Sequence, residues 1–200
     1  TSNFAVMPAI GYSMQTGFAA AVSANVVFNL RKSVSKTSSI ISSITYSQYN
    51  QIIVPFQADI WSGNNKYKFV SDFRYMKYPS ITYGLGIHSS RSNGYLLDFN
   101  YLKFHQTIYR GITKNFFAGI GYFYDYFWNI SEPGAAAGQV TDFQRYGYSK
   151  RSVTSGPALR ALYDSRINPV NPNNGQYFNL VLRPNFKALG SDDNFTALQA

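Results

Sequence analysis

The clearest evidence for the fold is in residues 163–186, YDSRINPVNPNNGQYFNLVLRPNF. After a turn rich in proline and asparagine, its second half alternates between apolar and polar side chains. One side carries Phe178, Leu180, Leu182, Pro184 and Phe186, and the other carries Asn179, Val181, Arg183, Asn185 and Lys187. Since side chains alternate across an extended chain, the pattern predicts a β-strand with one apolar face and one polar face.

The same period of two recurs along most of the chain, and no stretch predicts a helix longer than a turn or two. The apolar face of the sixth segment changes side near Lys103, which predicts a bulge. Pro184 has no backbone N–H to donate to a neighbouring strand, so a bulge or a local strand end is expected there. The predicted strands are residues 4–12, 18–30, 39–47, 51–60, 66–76, 95–109, 116–130, 154–164, the strand that ends the quoted stretch, and one beginning at Phe195.

Composition and strand length point to a membrane. Aromatic residues make up 18% of the chain and charged residues only 14%, against roughly 25% charged in average globular proteins. The strands exceed the usual length of about 5–6 residues and approach the roughly 9–11 that cross a bilayer. Because lipid leaves no partner for a free backbone group, an all-strand protein in a membrane must close. We therefore predict an all-β, transmembrane antiparallel β-barrel (a meander), with a soluble β-barrel as the alternative.

In such a barrel the apolar face contacts lipid and the polar face lines the lumen. In the quoted strand, Phe178, Leu180, Leu182 and Phe186 are predicted to face lipid. The residues predicted to face the lumen are Lys68, Asp72, Arg74, Asn179, Arg183 and Asn185. No stretch has the 18 or more apolar residues of a membrane helix.

Several function classes are not expected. The chain has no cysteine, which excludes disulfides and cysteine-based zinc sites. The net charge is +9, but the cations are scattered and form no dense basic face, so no nucleic-acid partner is expected. His88 and His105 lack partners at a metal or triad spacing, and the SVSK of residues 33–36 lies in a turn rather than on a helix. We predict no catalytic, cofactor or metal site, and no enzyme.

The charged turn carries a further signal. Asp164 and Arg166 are two residues apart and so point to one side of an extended chain. A local ion pair that shapes the turn is the simplest interpretation. Asp164, Arg166, Pro172 and Gly175 also match the Asp-x-Arg, proline-rich turn and glycine that precede an alternating strand in the BamA/TamA surface-antigen barrels.

The chain resembles that superfamily over nearly its whole length. The start, MPAIGYSMQTGFAAAVSANVVF, is similar to its first hairpin, and YPSITYGLG to a loop of its outer rim. The family barrel has sixteen strands, preceded in most members by POTRA domains, for which no pattern is found here. The resemblance implies that residues 1–200 are an N-terminal portion of the barrel, roughly its first ten strands, and that the sheet is open.

The resemblance also implies a function: insertion or translocation of other proteins in the outer membrane of a diderm bacterium, without cofactors. Residues 4–12 would form the edge strand of a lateral gate, presenting Phe4, Val6, Pro8, Ile10 and Tyr12. The implied partners are outer-membrane lipid, substrate or partner proteins at the barrel edge, and other subunits of an envelope complex. The alternatives are a passive pore or structural barrel, and the membrane anchor of an enzyme whose catalytic domain lies outside this chain.

Overall fold

The computed structural model describes residues 2–31, 36–84, 89–90, 92, 94–135, 138, 140–147, 149–166 and 174–200. The protein is all-β, with one 11-stranded antiparallel sheet. Two short helices occur in the described part of the chain: α1 (Asp142–Gly147) and a 3-10 helix at Lys187–Leu189.

The sheet is a meander in which each long strand pairs with its neighbours in sequence. A three-residue strand, β6, pairs only with β7 and makes the count eleven rather than the ten predicted. The strands are β1 (Ser2–Ser13), β2 (Gly17–Phe28), β3 (Ser38–Ser47), β4 (Ile52–Trp61), β5 (Tyr67–Lys77), β6 (Ser80–Thr82), β7 (Tyr95–Gly111), β8 (Phe116–Ser131), β9 (Arg151–Asp164), β10 (Tyr177–Asn185) and β11 (Phe195–Gln199).

The sheet is open, as expected. Strand order runs from β1 to β11, and no ladder in the described residues joins these two strands. Each of them therefore pairs on one side only, β1 with β2 and β11 with β10. Two rows of backbone N–H and C=O groups are left without a strand partner, and the longer row belongs to the 12 residues of β1.

The register confirms the alternating faces. One row across four strands is Phe56, Phe73, Phe104 and Tyr124, and the next row on the other side is Gln57, Asp72, His105 and Phe123. We call these sides the apolar face and the polar face. Ile108 and Ile120 on the apolar face are 56% and 68% exposed.

The sheet curls with the polar face inside. The rings of Trp61 on β4 and Phe117 on β8 are 5.2 Å apart, although β5 and β7 lie between those strands. Neighbouring strands are about 4.8 Å apart, so in a flat sheet these residues would be separated by roughly 14 Å. Trp61 and Phe117 pack with Tyr109 and Leu162 into a buried cluster on the concave side.

Pro157 and Pro184 lie just beyond the end of the ladder between β9 and β10. Pairing between β9 and β10 stops at Leu159 and Leu182, and two positions further in the same register Pro157 would face Pro184. Neither residue has an N–H to donate, so pairing with β9 ends before Pro184, whereas the ladder with β11 continues through Pro184 to Asn185. The expected end of pairing is therefore found only on the β9 side. A side chain at Gly156 would lie 1.9 Å from the Pro184 carbonyl oxygen, so the two backbones approach closely here. Because β10 ends at Asn185, Phe186 lies just beyond the strand on which it was predicted.

The predicted bulge at Lys103 is wrong. The ladders on both sides of β7 run regularly through Lys103, and the irregularity lies between Asp98 and Asn100. The apparent change of face arises because Tyr101 and Tyr109 are large aromatic residues on the polar face. Their rings resemble lipid-facing side chains in sequence, although they pack inside the curl.

The connections lie on two rims, because antiparallel strands alternate in direction. The connections after β2, β4, β7 and β9 lie on one side, which we call the Asp164 rim. Those after β1, β3, β5, β8 and β10 lie on the other, which we call the long-loop rim since it carries residues 78–94 and 132–150. The charged turn and the two longest connections are therefore at opposite ends of the sheet.

Candidate functional site: the polar face and the free strand edge

Charged side chains on the polar face of β5–β10 form two bonded groups, which together are called the network. The first group surrounds Asp72. Its carboxylate accepts hydrogen bonds from Arg74 Nε at 2.7 Å and Nη2 at 3.0 Å, and from Lys103 Nζ at 2.6 Å. Arg74 is on the same strand, whereas Lys103 is on β7. This group therefore joins two strands by charge as well as by their ladder.

Asp125 on β8 is the centre of the second group. Its carboxylate accepts hydrogen bonds from Tyr101 Oη at 2.5 Å and from Arg183 Nη1 at 2.6 Å. His105 Nε2 lies 3.0 Å from each carboxylate oxygen. The Asp125 side chain is only 10% exposed, so its charge is compensated by protein groups rather than by bulk water.

Arg183 extends the network to β9. Its Nη2 donates to Thr154 Oγ1 at 2.9 Å, and its Nε donates to Asn185 Oδ1 at 2.9 Å. The His105 ring stacks on the Phe123 ring with the centroids 3.9 Å apart, and the Arg183 guanidinium lies 5.5 Å from the Phe123 centroid. The second group thus spans β7 to β10 and is packed on an aromatic ring.

Arg160 differs from the other cations of this face. It donates to Thr107 Oγ1 at 3.3 Å and to Asn179 Oδ1 at 3.2 Å, and it forms no ion pair among the described residues. Its guanidinium lies 5.3 Å from the ring centroid of Tyr109. Together with Lys103, Asp72 and neighbouring residues it lines a polar cavity of about 350 Å³.

The six residues predicted to face the lumen all lie on the polar face, but not in one group. Asp72, Arg74 and Arg183 belong to the network. Lys68 lies nearer the Asp164 rim, where its Nζ is 2.9 Å from Asp59 Oδ1.

The charged turn forms the ion pair that its spacing suggests. Arg166 Nε donates to Asp164 Oδ1 at 2.9 Å and Nη2 donates to Oδ2 at 3.0 Å. The Arg166 backbone N–H donates to the same Oδ1 at 3.1 Å. The guanidinium also lies 4.3 Å from the ring centroid of Tyr177, at the start of β10. Gly175 has a φ of 109°, which favours glycine, and Pro172 lies outside the described residues.

A second cation approaches this turn. Lys36 Nζ, just before β3, lies 4.6 Å from the Trp61 ring centroid and 5.3 Å from that of Phe117. Burial lowers the pKa of the Lys36 ammonium, and the Asp164 carboxylate acts in the opposite direction. Lys36 is therefore close enough to Asp164 for the two charges to interact.

The edge strand β1 is exposed on both faces along its whole length. Phe4 and Ile10 are 69% and 84% exposed. Pro8 is tolerated in an edge strand when its missing N–H is on the side away from the neighbour. Backbone groups alternate in direction along a strand, so we expect Val6 and Ile10 to point their N–H groups to the free side as well.

Four members of the network were not predicted from the sequence: Tyr101, Lys103, His105 and Asp125. Their alternation places them on the polar face, but their pairing depends on register between strands. His105 was expected only as a polar residue of the barrel interior or surface. A charged residue at an inward position was the one available signal, since such residues are costly to bury unless paired.

Comparisons of the chain with protein-family models, curated proteins and solved structures find no match. No group of three or more His, Asp or Glu side chains that could hold a metal occurs among the residues that the structure describes. In the same residues, no helix is long and apolar enough to cross a membrane.

Proposed function

We propose that this chain is part of the wall of an outer-membrane β-barrel of the BamA type and takes part in inserting or translocating other proteins. The free edge of β1 is the observation that carries the proposal. It offers 12 residues of strand, about the length that crosses a bilayer. An incoming strand could pair with this edge by β-augmentation.

The two faces support the membrane setting. On the apolar face, charged side chains of the long strands lie near strand ends, as Lys77, Arg110 and Arg151 do. The charges in the middle of strands are on the concave polar face, where Asp72 and Asp125 form ion pairs and Arg160 is hydrogen-bonded to Thr107 and Asn179. This is the distribution that a lipid-facing wall requires. We propose that further strands close the sheet between β11 and β1, because unpaired edges are strongly disfavoured in lipid.

The test removes backbone donors from the free edge. In the variant Val6→Pro with Ile10→Pro, two N–H groups expected to face an incoming strand are lost. The matched control is Val6→Ala with Ile10→Ala, which shortens the same side chains but keeps both donors. The measurement is the rate at which a second outer-membrane barrel is inserted into vesicles that contain the protein.

Each hydrogen bond is worth about 0.5–1.5 kcal/mol, so losing two should slow insertion by about tenfold or more. The alanine variant should remain close to the unsubstituted protein. Equal insertion rates for the two variants, with both correctly folded, would reject a role for the β1 edge. A protein that conducts ions across a planar bilayer but accelerates no insertion would instead be a passive pore.

A further inference from the structure

A hollow crosses the apolar face between β7 and β10. Its floor follows one row of paired residues, Arg110, Ala118, Ala161 and Leu180. The next row toward the long-loop rim is Ile108, Ile120, Leu159 and Leu182. These larger side chains project further from the sheet than the methyl groups of Ala118 and Ala161. The methyl side chains of Ala118 and Ala161 leave a volume of about 650 Å³ with an almost wholly apolar lining.

Arg110 lines the β7 end of this hollow, and two further cations, Lys66 and Lys114, are in connections of the same rim. Arg110 is exposed and is the residue before the last of β7. The backbone N–H of the next residue, Gly111, donates to the carbonyl oxygen of Lys66 at 2.7 Å, so the Lys66 backbone lies beside the end of β7. Lys114 is in the turn that follows β7. None of the three forms an ion pair among the described residues, so their charge is available to an anion.

The chemistry of the hollow favours a hydrocarbon chain over a peptide. The backbone of β7–β9 at this level is already paired on both sides in ladders. A peptide segment laid across it would find no partner for its own N–H and C=O groups. An acyl chain has no such groups and gains from contact with the branched side chains at the sides of the hollow.

We propose that this hollow binds an acyl chain of an anionic phospholipid, and that Arg110, Lys66 and Lys114 hold the lipid phosphate. The inference rests on the proposed membrane setting of the apolar face. Strands of membrane barrels tilt by roughly 35–45°, so a groove across them is oblique to the bilayer and can follow a lipid chain. The three cations lie on the Asp164 rim, at the level where headgroups would be found.

The test measures lipids retained by the whole protein in detergent, by native mass spectrometry. The probes are phosphatidylglycerol and phosphatidylcholine with the same acyl chains, which differ in headgroup charge. The charge variant is Arg110→Gln with Lys114→Gln. Its matched control is Lys77→Gln with Arg151→Gln, which removes two cations from the opposite rim. Ala118→Leu and Ala161→Leu, made separately, fill the hollow without changing charge.

The unsubstituted protein should retain phosphatidylglycerol over phosphatidylcholine by about tenfold. That preference should be lost in the Arg110/Lys114 variant and kept in the Lys77/Arg151 variant. Either leucine variant that folds should lower retention of both lipids. Equal retention of the two lipids, no effect of filling the hollow, or a retained peptide instead of a lipid would overturn the inference.

A separate measurement distinguishes this inference from the proposal on which it rests. Insertion into vesicles is followed by protection of β-strand segments from protease. If the protein inserts but shows no selective lipid retention, only the lipid site is rejected. If it fails to insert into vesicles of any composition, the membrane setting is rejected and the lipid site with it.

Discussion

The polar face has two unlike halves. On β5–β10 it carries long charged side chains that bond across strands, as Asp72 does with Lys103 and Asp125 with Arg183. On β1–β3 the same face carries small or uncharged residues. They are Ala5, Met7, Ala9, Gly11, Ala19, Ala21, Ser23, Asn25, Val27, Ser39, Ile41, Ser43 and Thr45.

The apolar face continues across both halves, so they differ mainly in what supports the sheet from inside. Strands β7–β10 are held by ladders, by the partly buried Asp125–Arg183 ion pair and by the hydrogen bonds of Asp125. The β1–β2 hairpin is held to the sheet by its ladder with β3, and β1 is exposed throughout. We infer that one half is a rigid support, whereas the other can open at modest cost. An edge that receives strands needs this property.

The largest effect is expected from breaking the network at its centre. Asp125→Ala leaves Arg183 and His105 without their carboxylate, and removing one partner of a buried pair costs about 3–5 kcal/mol. The free energy of unfolding by urea in detergent should fall by that amount. The control is Asp193→Ala, whose pair with Lys187 is largely exposed and contributes at most about 1 kcal/mol. Equal losses for the two variants would show that the network does not support this half.

The second prediction concerns depth on the apolar face. Phe104 lies in the middle rows, and Phe104→Arg should cost roughly 2–4 kcal/mol of folding free energy in lipid, with a smaller cost near the interface. Leu180 shares the row of Arg110, so Leu180→Arg should be milder. Asn179→Arg, on the polar face, should be mildest. Refolding yields in vesicles measure the order, and three equal yields would contradict the membrane setting.

Much of the fold follows from local sequence, because alternation alone tells which side chains share a face. It predicts the long strands and both faces, because a register shift of one residue would place an apolar row on the concave polar face. It does not detect β6, whose three residues are too short to show a period. It also misplaces the irregularity of β7, because tyrosine is compatible with either face.

The site is less predictable because its contacts are distant in sequence. Lys103 and Asp72 are 31 residues apart, and Arg183 and Asp125 are 58 apart. Those pairs depend on the register of several strands and on the curl, which no local pattern contains. The Asp164–Arg166 pair spans two residues and is visible in the sequence for that reason. The hollow at Ala118 and Ala161 likewise depends on two alanines being placed side by side by the β8–β9 register.

A smaller effect is expected at the charged turn. Asp164→Ala removes an acceptor of three hydrogen bonds from Arg166, and bonds to charged groups contribute about 1.5–3 kcal/mol when buried. Because the pair is partly exposed, the expected loss of stability is nearer 1 kcal/mol. Assembly should also fall more than in Asp142→Ala, which lies in α1 at the long-loop rim. If the two variants assemble alike, the turn has no role beyond its local ion pair.

The smallest expected effect is a difference in amide exchange rate between the two halves of the sheet in the unsubstituted protein. Amide hydrogen exchange in detergent should be faster in β2 than in β8, although both strands pair on two sides. Opening β2 requires only the loss of its ladders, whereas opening β8 also breaks the Asp125 pairs. A difference in opening free energy of about 1.4 kcal/mol would appear as a tenfold difference in exchange rate. In Asp125→Ala the rates of the two strands should converge, with β8 rising and β2 unchanged. Equal protection of β2 and β8 before substitution would mean that the ladders alone determine stability, and the uncharged half would then have no greater freedom to open.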